Sequence, residues 1–150
     1  MYLNNNVLND IIMTKIKLKF DGYRPNNLTG ENYSGIYLVY TGISEPNNTC
    51  TLKKLIYIGE SEDISKRISG HNKWDEWKKQ LQNGEKLYFC YAKANKEDRQ
   101  RAEAALIHEH KPVCNTEFTG KFDDFADTEI IIEQGSRCAF IESFSVKKQQ

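Results

Sequence analysis

The chain has 150 residues, a length that suits one domain burying roughly two-thirds of the surface its unfolded form exposes. Its 21 Lys and Arg balance its 21 Asp and Glu, which excludes a uniformly basic architectural nucleic-acid binder. No apolar run approaches the ~20 residues of a membrane span, and the N-terminus lacks a basic region followed by an apolar stretch.

In chain order, Met1 to Asp10 is Asn-rich and reads as a fraying end or short turn. Thr14 to Phe20, TKIKLKF, alternates lysine with apolar residues. That is the period of a strand with one solvated face, an edge guarded by lysines. Asp21 to Tyr33 reads as a loop. Ser34 to Tyr40 and Leu55 to Gly59 read as two antiparallel strands, joined by a long polar loop over Gly42 to Thr51. Ser61 suits a helix N-cap, with Glu62 and Asp63 in the first turn and the helix ending near Gly70. Ile64 and Ile68 face the core. Trp74 to Leu81 reads as a second short helix anchored by Trp74, Trp77 and Leu81. Lys86 to Ala92 is a further strand. Asn95 caps a helix from Lys96 to about His110, with Pro112 beyond its end. Glu129 to Glu133 and Cys138 to Val146 read as a closing hairpin around Gln134 to Arg137. The order has no regular βαβ alternation, so the class is α+β.

Charge is uneven along the chain. Residues 51–111 hold 13 Lys and Arg against 10 Asp and Glu, whereas residues 116–146 hold 2 against 7. An anionic ligand is therefore expected at the middle of the chain. Cys50, Cys90, Cys114 and Cys138 lie far apart, without zinc-ligand spacing, and read as free thiols in a reducing cytoplasm. His108 and His110 do not share a helix face and do not make a metal site.

Five residues carry chemistry: Tyr37 and Tyr57 on neighbouring strands, Arg67 and His71 from the helix that follows, and Glu103 inside the apolar run RAEAALI. These types suit phosphodiester hydrolysis. One carboxylate anchors a hard divalent cation, an arginine fork clamps phosphate, and a tyrosine or histidine takes a proton from water. Taken singly, each has an ordinary structural reading, and Trp74 and Trp77 read as core anchors rather than base-stacking rings.

The pattern Gly35-Ile36-Tyr37, Tyr57-Ile58-Gly59, Arg67, Glu103 and Asn115 resembles the GIY-YIG endonucleases. The resemblance runs from about Ser34 to Thr116. It implies a small antiparallel sheet flanked by helices, one Mg²⁺ (Mn²⁺ as substitute) and hydrolysis of DNA to 5′-phosphate and 3′-hydroxyl. It further implies Glu103 as metal ligand, Arg67 as phosphate clamp and Tyr37 as first choice of general base. The pair Arg67 and His71, with Asn115, looks most like the restriction-enzyme branch, where the histidine supports the base and the asparagine holds the site. Lys66, Lys73, Lys78 and Lys79 are the candidate DNA-backbone contacts, and Glu60 and Glu109 the candidate outer acids.

The expected organisation is an N-terminal extension over residues 1–33, a catalytic core over 34–116 and a closing hairpin over 117–150, all in one domain. The expected function is a metal-dependent DNA endonuclease in restriction or phage defence, a homodimer if it cuts both strands. The alternatives are a repair or structure-specific nuclease and a non-catalytic nucleic-acid-binding module.

Overall fold

A computed structural model describes residues 13–25 and 32–149. The reading of Met1 to Asp10 lies outside the described residues, as does part of the Asp21 to Tyr33 loop. The described residues form seven strands: β1 (Thr14–Leu18), β2 (Arg24–Pro25), β3 (Gly35–Glu45), β4 (Thr49–Ser61), β5 (Lys86–Lys93), β6 (Thr128–Ile132) and β7 (Phe144–Val146). Among the described residues three helices accompany them: α1 (Ile64–Ser69), α2 (Trp74–Lys79) and α3 (Lys96–His110).

The main sheet has the order β2-β5-β3-β4 and is antiparallel throughout. Alternation along β3 sends side chains to two cores. Ile36, Leu38 and Tyr40 join the α3 side, with Ala102, Ala105 and Leu106. Tyr37 and Val39 join the other, with Ile64, Ile68 and Trp77 of α1 and α2. The small residues of α3 let its backbone approach the sheet, and Asn95 caps it by accepting from the Asp98 amide at 2.9 Å.

The strands of the central hairpin are longer than their apolar runs. The expected loop over Gly42 to Thr51 is instead a continuation of β3 and β4, paired out to Glu45 and Thr49. The turn sits at Pro46–Asn48, where Asn47 and Asn48 take left-handed backbone angles, which asparagine tolerates better than most residues. Register shifts after Val39 and after Thr41 absorb the irregular sequence. Backbone pairing makes the strand there, despite polar side chains.

The first helix also starts later than its sequence suggests. Asp63 is the N-cap, accepting from the Lys66 amide, while Ser61 accepts from the Asp63 amide in the turn before it. Glu62 and Asp63 thus precede the helix rather than open it.

A second, three-stranded sheet has the order β1-β6-β7. Ile16 and Leu18 of β1 are buried and Lys15 and Lys17 exposed, as the alternation requires. β1 pairs with β6 in parallel. The closing hairpin is looser than expected. β7 covers only residues 144–146, and the chain between it and β6 turns at Phe140, which holds φ 70°. A bridge between Phe20 and Ala92 joins the two sheets. All four cysteines are free, and no helix among the described residues is long and apolar enough to cross a membrane.

Candidate active site

The two tyrosine tripeptides meet face to face across β3 and β4. Tyr37 pairs with Gly59 in the strand register, and its ring lies where a Cβ on Gly59 would sit. Gly35 is equally constrained, since a Cβ there would overlap the Ala92 carbonyl of β5. The glycines of both tripeptides are thus steric requirements of this packing. The Tyr37 and Tyr57 rings stack with centroids 6.1 Å apart.

β4 is the edge strand of the main sheet, so the outward amide and carbonyl of Ile58 need partners. Asn115 supplies both. Its Oδ1 accepts from the Ile58 amide and its Nδ2 donates to the Ile58 carbonyl, each at 2.9 Å. The Cys114 amide extends the pairing by donating to the Ile56 carbonyl. Asn115 therefore caps the sheet beside Tyr57.

A cavity of about 340 Å³ opens here, lined among others by Tyr37, Tyr57, Arg67, Glu103 and Asn115. Glu60, Glu117, Lys73 and Asn72 also reach it. α1 delivers Arg67, whose Nη2 donates to the Asn72 Oδ1 at 3.4 Å. Arg67 makes no ion pair among the described residues. α3 delivers Glu103 from the stripe beside its buried alanines.

Three carboxylates therefore share one concavity. Burial, followed by the neighbouring Glu60 and Glu117 charges, pushes the Glu103 carboxyl up to about 8, against the opposing pull of the Glu60 backbone and Arg67. Glu60 is itself tethered: Arg99 Nε donates to it at 2.8 Å, and Arg99 Nη1 reaches the Ser34 hydroxyl. Among the described residues no three His, Cys, Asp or Glu side chains form a ready-made metal cage.

His71 is buried but does not line the cavity. It stands edge-on to both tyrosines, 6.1 Å from Tyr37 and 5.2 Å from Tyr57 by centroid, and packs on Trp77 at 4.5 Å. Its Nδ1 accepts from the Lys73 amide at 3.0 Å. Burial, with Arg67 and Lys73 adding to it, pulls its pKa down to about 4. The ring is thus neutral at physiological pH, with its proton on Nε2.

Burial raises both phenols above their usual range. Tyr57 and Glu103 add to the effect at Tyr37, Glu103 adds to it at Tyr57, and Arg67 lowers both. Contact between the two hydroxyls raises Tyr37 and lowers Tyr57.

The candidate lysines separate. Lys73 reaches the cavity, though it also pairs with Glu76 at 3.4 Å. Lys66 lies with Arg67 in a neighbouring surface pocket. Lys78 sits over the Trp74 ring and Lys79 is exposed at the end of α2. Trp77 is fully buried and Trp74 packs on it and on Phe89, so both are core anchors. Of the outer acids, Glu60 reaches the cavity, whereas Glu109 lies in a different pocket with Phe140 and Phe144. The sequence signal that could have singled out Glu60 is its place directly after Gly59, at the end of the strand that carries Tyr57. Glu117, in irregular chain after Asn115, has no such signal.

No curated protein and no solved structure gives a significant match. The family model of the GIY-YIG catalytic domain matches residues 33–117, which holds the tyrosines, Arg67, Glu103 and Asn115 of the cavity. With more than half of its length matched, the chain belongs to the GIY-YIG family of nucleases.

Proposed function

We propose that the chain is a divalent-metal-dependent DNA endonuclease that leaves a 5′-phosphate and a 3′-hydroxyl, working in restriction or phage defence. The observation that carries this reading is the grouping of Glu103, Arg67 and the two phenols around one polar cavity.

The donor set fits a hard cation. Glu103 is half-buried beside two further carboxylates, a like-charge cluster whose cost a cation removes, and all the donors are oxygens. Glu103 would hold Mg²⁺ or Mn²⁺, with Glu60 and Glu117 close by. Such an ion supplies charge neutralisation at the phosphoryl oxygens and lowers neighbouring phenol pKa values.

The chain's own residues do the rest. Arg67, without an ion pair among the described residues, is available to fork onto the phosphate and to stabilise charge developing on its oxygens. One tyrosine of the stacked pair, acting as its phenolate, takes the proton of the attacking water, the water oxygen bonds to phosphorus, and the bond from phosphorus to the 3′ oxygen breaks, that oxygen leaving with its electron pair and taking a proton from solvent to become the 3′-hydroxyl. Two features favour Tyr57 over Tyr37 for the proton. Tyr57 is the more exposed ring, and hydroxyl contact lowers Tyr57 while raising Tyr37. Neutral His71 packs edge-on against both rings and holds their orientation. Asn115 keeps the β4 edge, and Tyr57 with it, in place.

The test is plasmid cleavage with Mg²⁺ or Mn²⁺ for wild type, Glu103→Ala and Arg67→Ala. Wild type is expected to nick or linearise the plasmid, and each variant to lose about 10²-fold or more in rate. A wild type that binds DNA but never cuts, with Glu103→Ala binding equally well, would instead make the chain a non-catalytic nucleic-acid-binding module.

A further inference from the structure

A second cleft, of about 430 Å³, lies outside the catalytic cavity. Its walls come mostly from segments flanking the matched catalytic domain: the stretch around β1, with Lys17 and Lys19, and the 133–137 turn, with Arg137. β5 adds Lys93 and Tyr91. None of these four cations makes an ion pair among the described residues.

The cations are held on paired backbone. The Glu133 amide donates to the Leu18 carbonyl at 2.8 Å and the Arg137 amide to the Phe20 carbonyl at 2.9 Å. Gly135, at φ 87°, lets the turn fold under Lys19, whose Cε would lie 3.7 Å from a Cβ there. The Arg137 side chain runs across Gly22, 3.5 Å from where its Cβ would be. Lys93 Nζ stands 5.3 Å over the Tyr33 ring.

Two carboxylates share the cleft, but one is already engaged. Asp21 accepts from the Tyr91 amide at 3.1 Å and pairs with Arg24 at 3.3 Å. That leaves Glu133 against four cations. The net of the C-terminal segment is acidic, yet the fold turns Arg137, one of its few cations, into this cleft.

The position of the cleft indicates its ligand. Tyr91 is the register partner of Tyr37 across β5 and β3, and both rings lie on the same face of the sheet. The cleft thus begins one strand from Tyr37 and two strands from Tyr57. Two strand spacings are about 10 Å, a distance covered by about three phosphates of a DNA strand.

We propose that the Lys17–Lys19–Lys93–Arg137 cleft binds the DNA backbone flanking the cut, with these cations contacting phosphates. The proposal rests on the nuclease reading and extends the substrate path beyond the cavity. Such contacts release counterions, so each one steepens the salt dependence of binding. They position the duplex without reading its sequence.

The experiment measures DNA affinity across a salt series for wild type, Lys17→Gln/Lys19→Gln, and Lys93→Gln. Ca²⁺ is used in place of Mg²⁺ to hold cleavage off, and plasmid cleavage with Mg²⁺ is followed in parallel. Lys147→Gln/Lys148→Gln removes two exposed charges elsewhere and serves as the control. The Lys17/Lys19 variant is expected to lower the slope of log K against log salt by about 1.8 and Lys93→Gln by about 0.9. Both are expected to need more DNA than wild type to reach half-maximal cleavage. A slope unchanged in the cleft variants, or lowered equally in the control, overturns the proposal while wild-type cleavage leaves the nuclease reading standing. A wild type that neither binds nor cuts overturns both.

Discussion

The Tyr37 ring occupies the space above Gly59, so that a methyl group there would overlap its Cζ and Oη atoms. One glycine hydrogen therefore decides where a phenol of the site can lie. The two residues are register partners on β3 and β4, so neither can shift without disturbing the hairpin.

Gly59→Ala is accordingly expected to cost about 1–3 kcal/mol as an overpacking change and to displace Tyr37 from the cavity. Gly70→Ala is the comparison, because the nearest atom to its Cβ is the Lys66 carbonyl at 3.9 Å. It should stay within about 1 kcal/mol of wild type. Urea denaturation and plasmid cleavage measure both. Gly59→Ala with wild-type stability and rate is incompatible with this packing.

Asn115 yields a prediction that separates shape from charge. Its amide both donates to and accepts from the Ile58 backbone. Asn115→Ala leaves two edge groups without partners at a cost of about 2–3 kcal/mol. Asn115→Asp is nearly the same shape but has no donor, and it places a carboxylate against the Ile58 carbonyl in a region that already holds Glu60, Glu103 and Glu117. It should be at least as destabilising at pH 8 and recover towards pH 4 as the new acid protonates. Thermal melts of the two variants across pH decide it. An Asn115→Asp protein as stable as wild type at pH 8 contradicts the assigned hydrogen bonds.

Much of this is legible in the chain because local chemistry and tertiary need coincide. The Asn95 cap, the small face of α3 and the alternation of β1 are each set by residues within a few positions of one another. The Ser61 to Asp63 stretch resists a local reading because several oxygens compete for few amides there, and the tertiary path of β4 selects Asp63 as the cap. The polar arms beyond Tyr40 and before Leu55 have the composition of a loop. Their strand character comes from pairing with each other, which side-chain pattern does not record. The parallel pairing of β1 with β6 joins residues more than a hundred positions apart, and no local signal encodes it. In the candidate site, Tyr37, Tyr57, Arg67 and Glu103 suit the chemistry by residue type and stand out through the motif they share with the family. Glu117 does not, since its proximity to Glu103 depends on how the chain leaves α3.

Glu103 makes the stability of the metal-free protein depend on pH. Its carboxyl is held up at about 8 against an ordinary 4.5. Between those values the folded state binds more protons than the unfolded one, so this group lowers stability as pH rises through that window. His71 acts oppositely. With its pKa drawn down to about 4 from 6.5, it costs stability as pH falls below 6.5. Over the shared range the two slopes offset each other. Glu103→Gln removes the first, so with chelator present its stability relative to wild type should be near zero below pH 4.5 and rise towards pH 8. The ceiling is about 5 kcal/mol at 1.36 kcal/mol per pKa unit. Added Mg²⁺ should then raise the wild-type melting temperature and leave that of Glu103→Gln unchanged. A flat difference across pH, or an equal response to Mg²⁺, rules out Glu103 as the carboxylate that holds the ion.

The two tyrosines can be told apart by how their loss changes the pH–rate profile. Hydroxyl contact between them raises Tyr37 and lowers Tyr57, so the pair shares its titration and the first proton to leave belongs mainly to Tyr57. On the proposed mechanism Tyr57→Phe removes the group that accepts the proton from water, and the rate should fall by about 10²-fold or more at every pH. Tyr37→Phe leaves that acceptor in place but removes the hydroxyl that stabilises its phenolate. Its rate should fall at neutral pH and recover at higher pH, an alkaline shift of the rising limb. The ring of Tyr37 remains to cover Gly59 in the phenylalanine variant, so packing is preserved and the comparison isolates the hydroxyl. Single-turnover cleavage from pH 6 to 10 reads both. The reverse pattern, with Tyr57→Phe shifted and Tyr37→Phe inactive throughout, exchanges the two roles and assigns the proton to Tyr37.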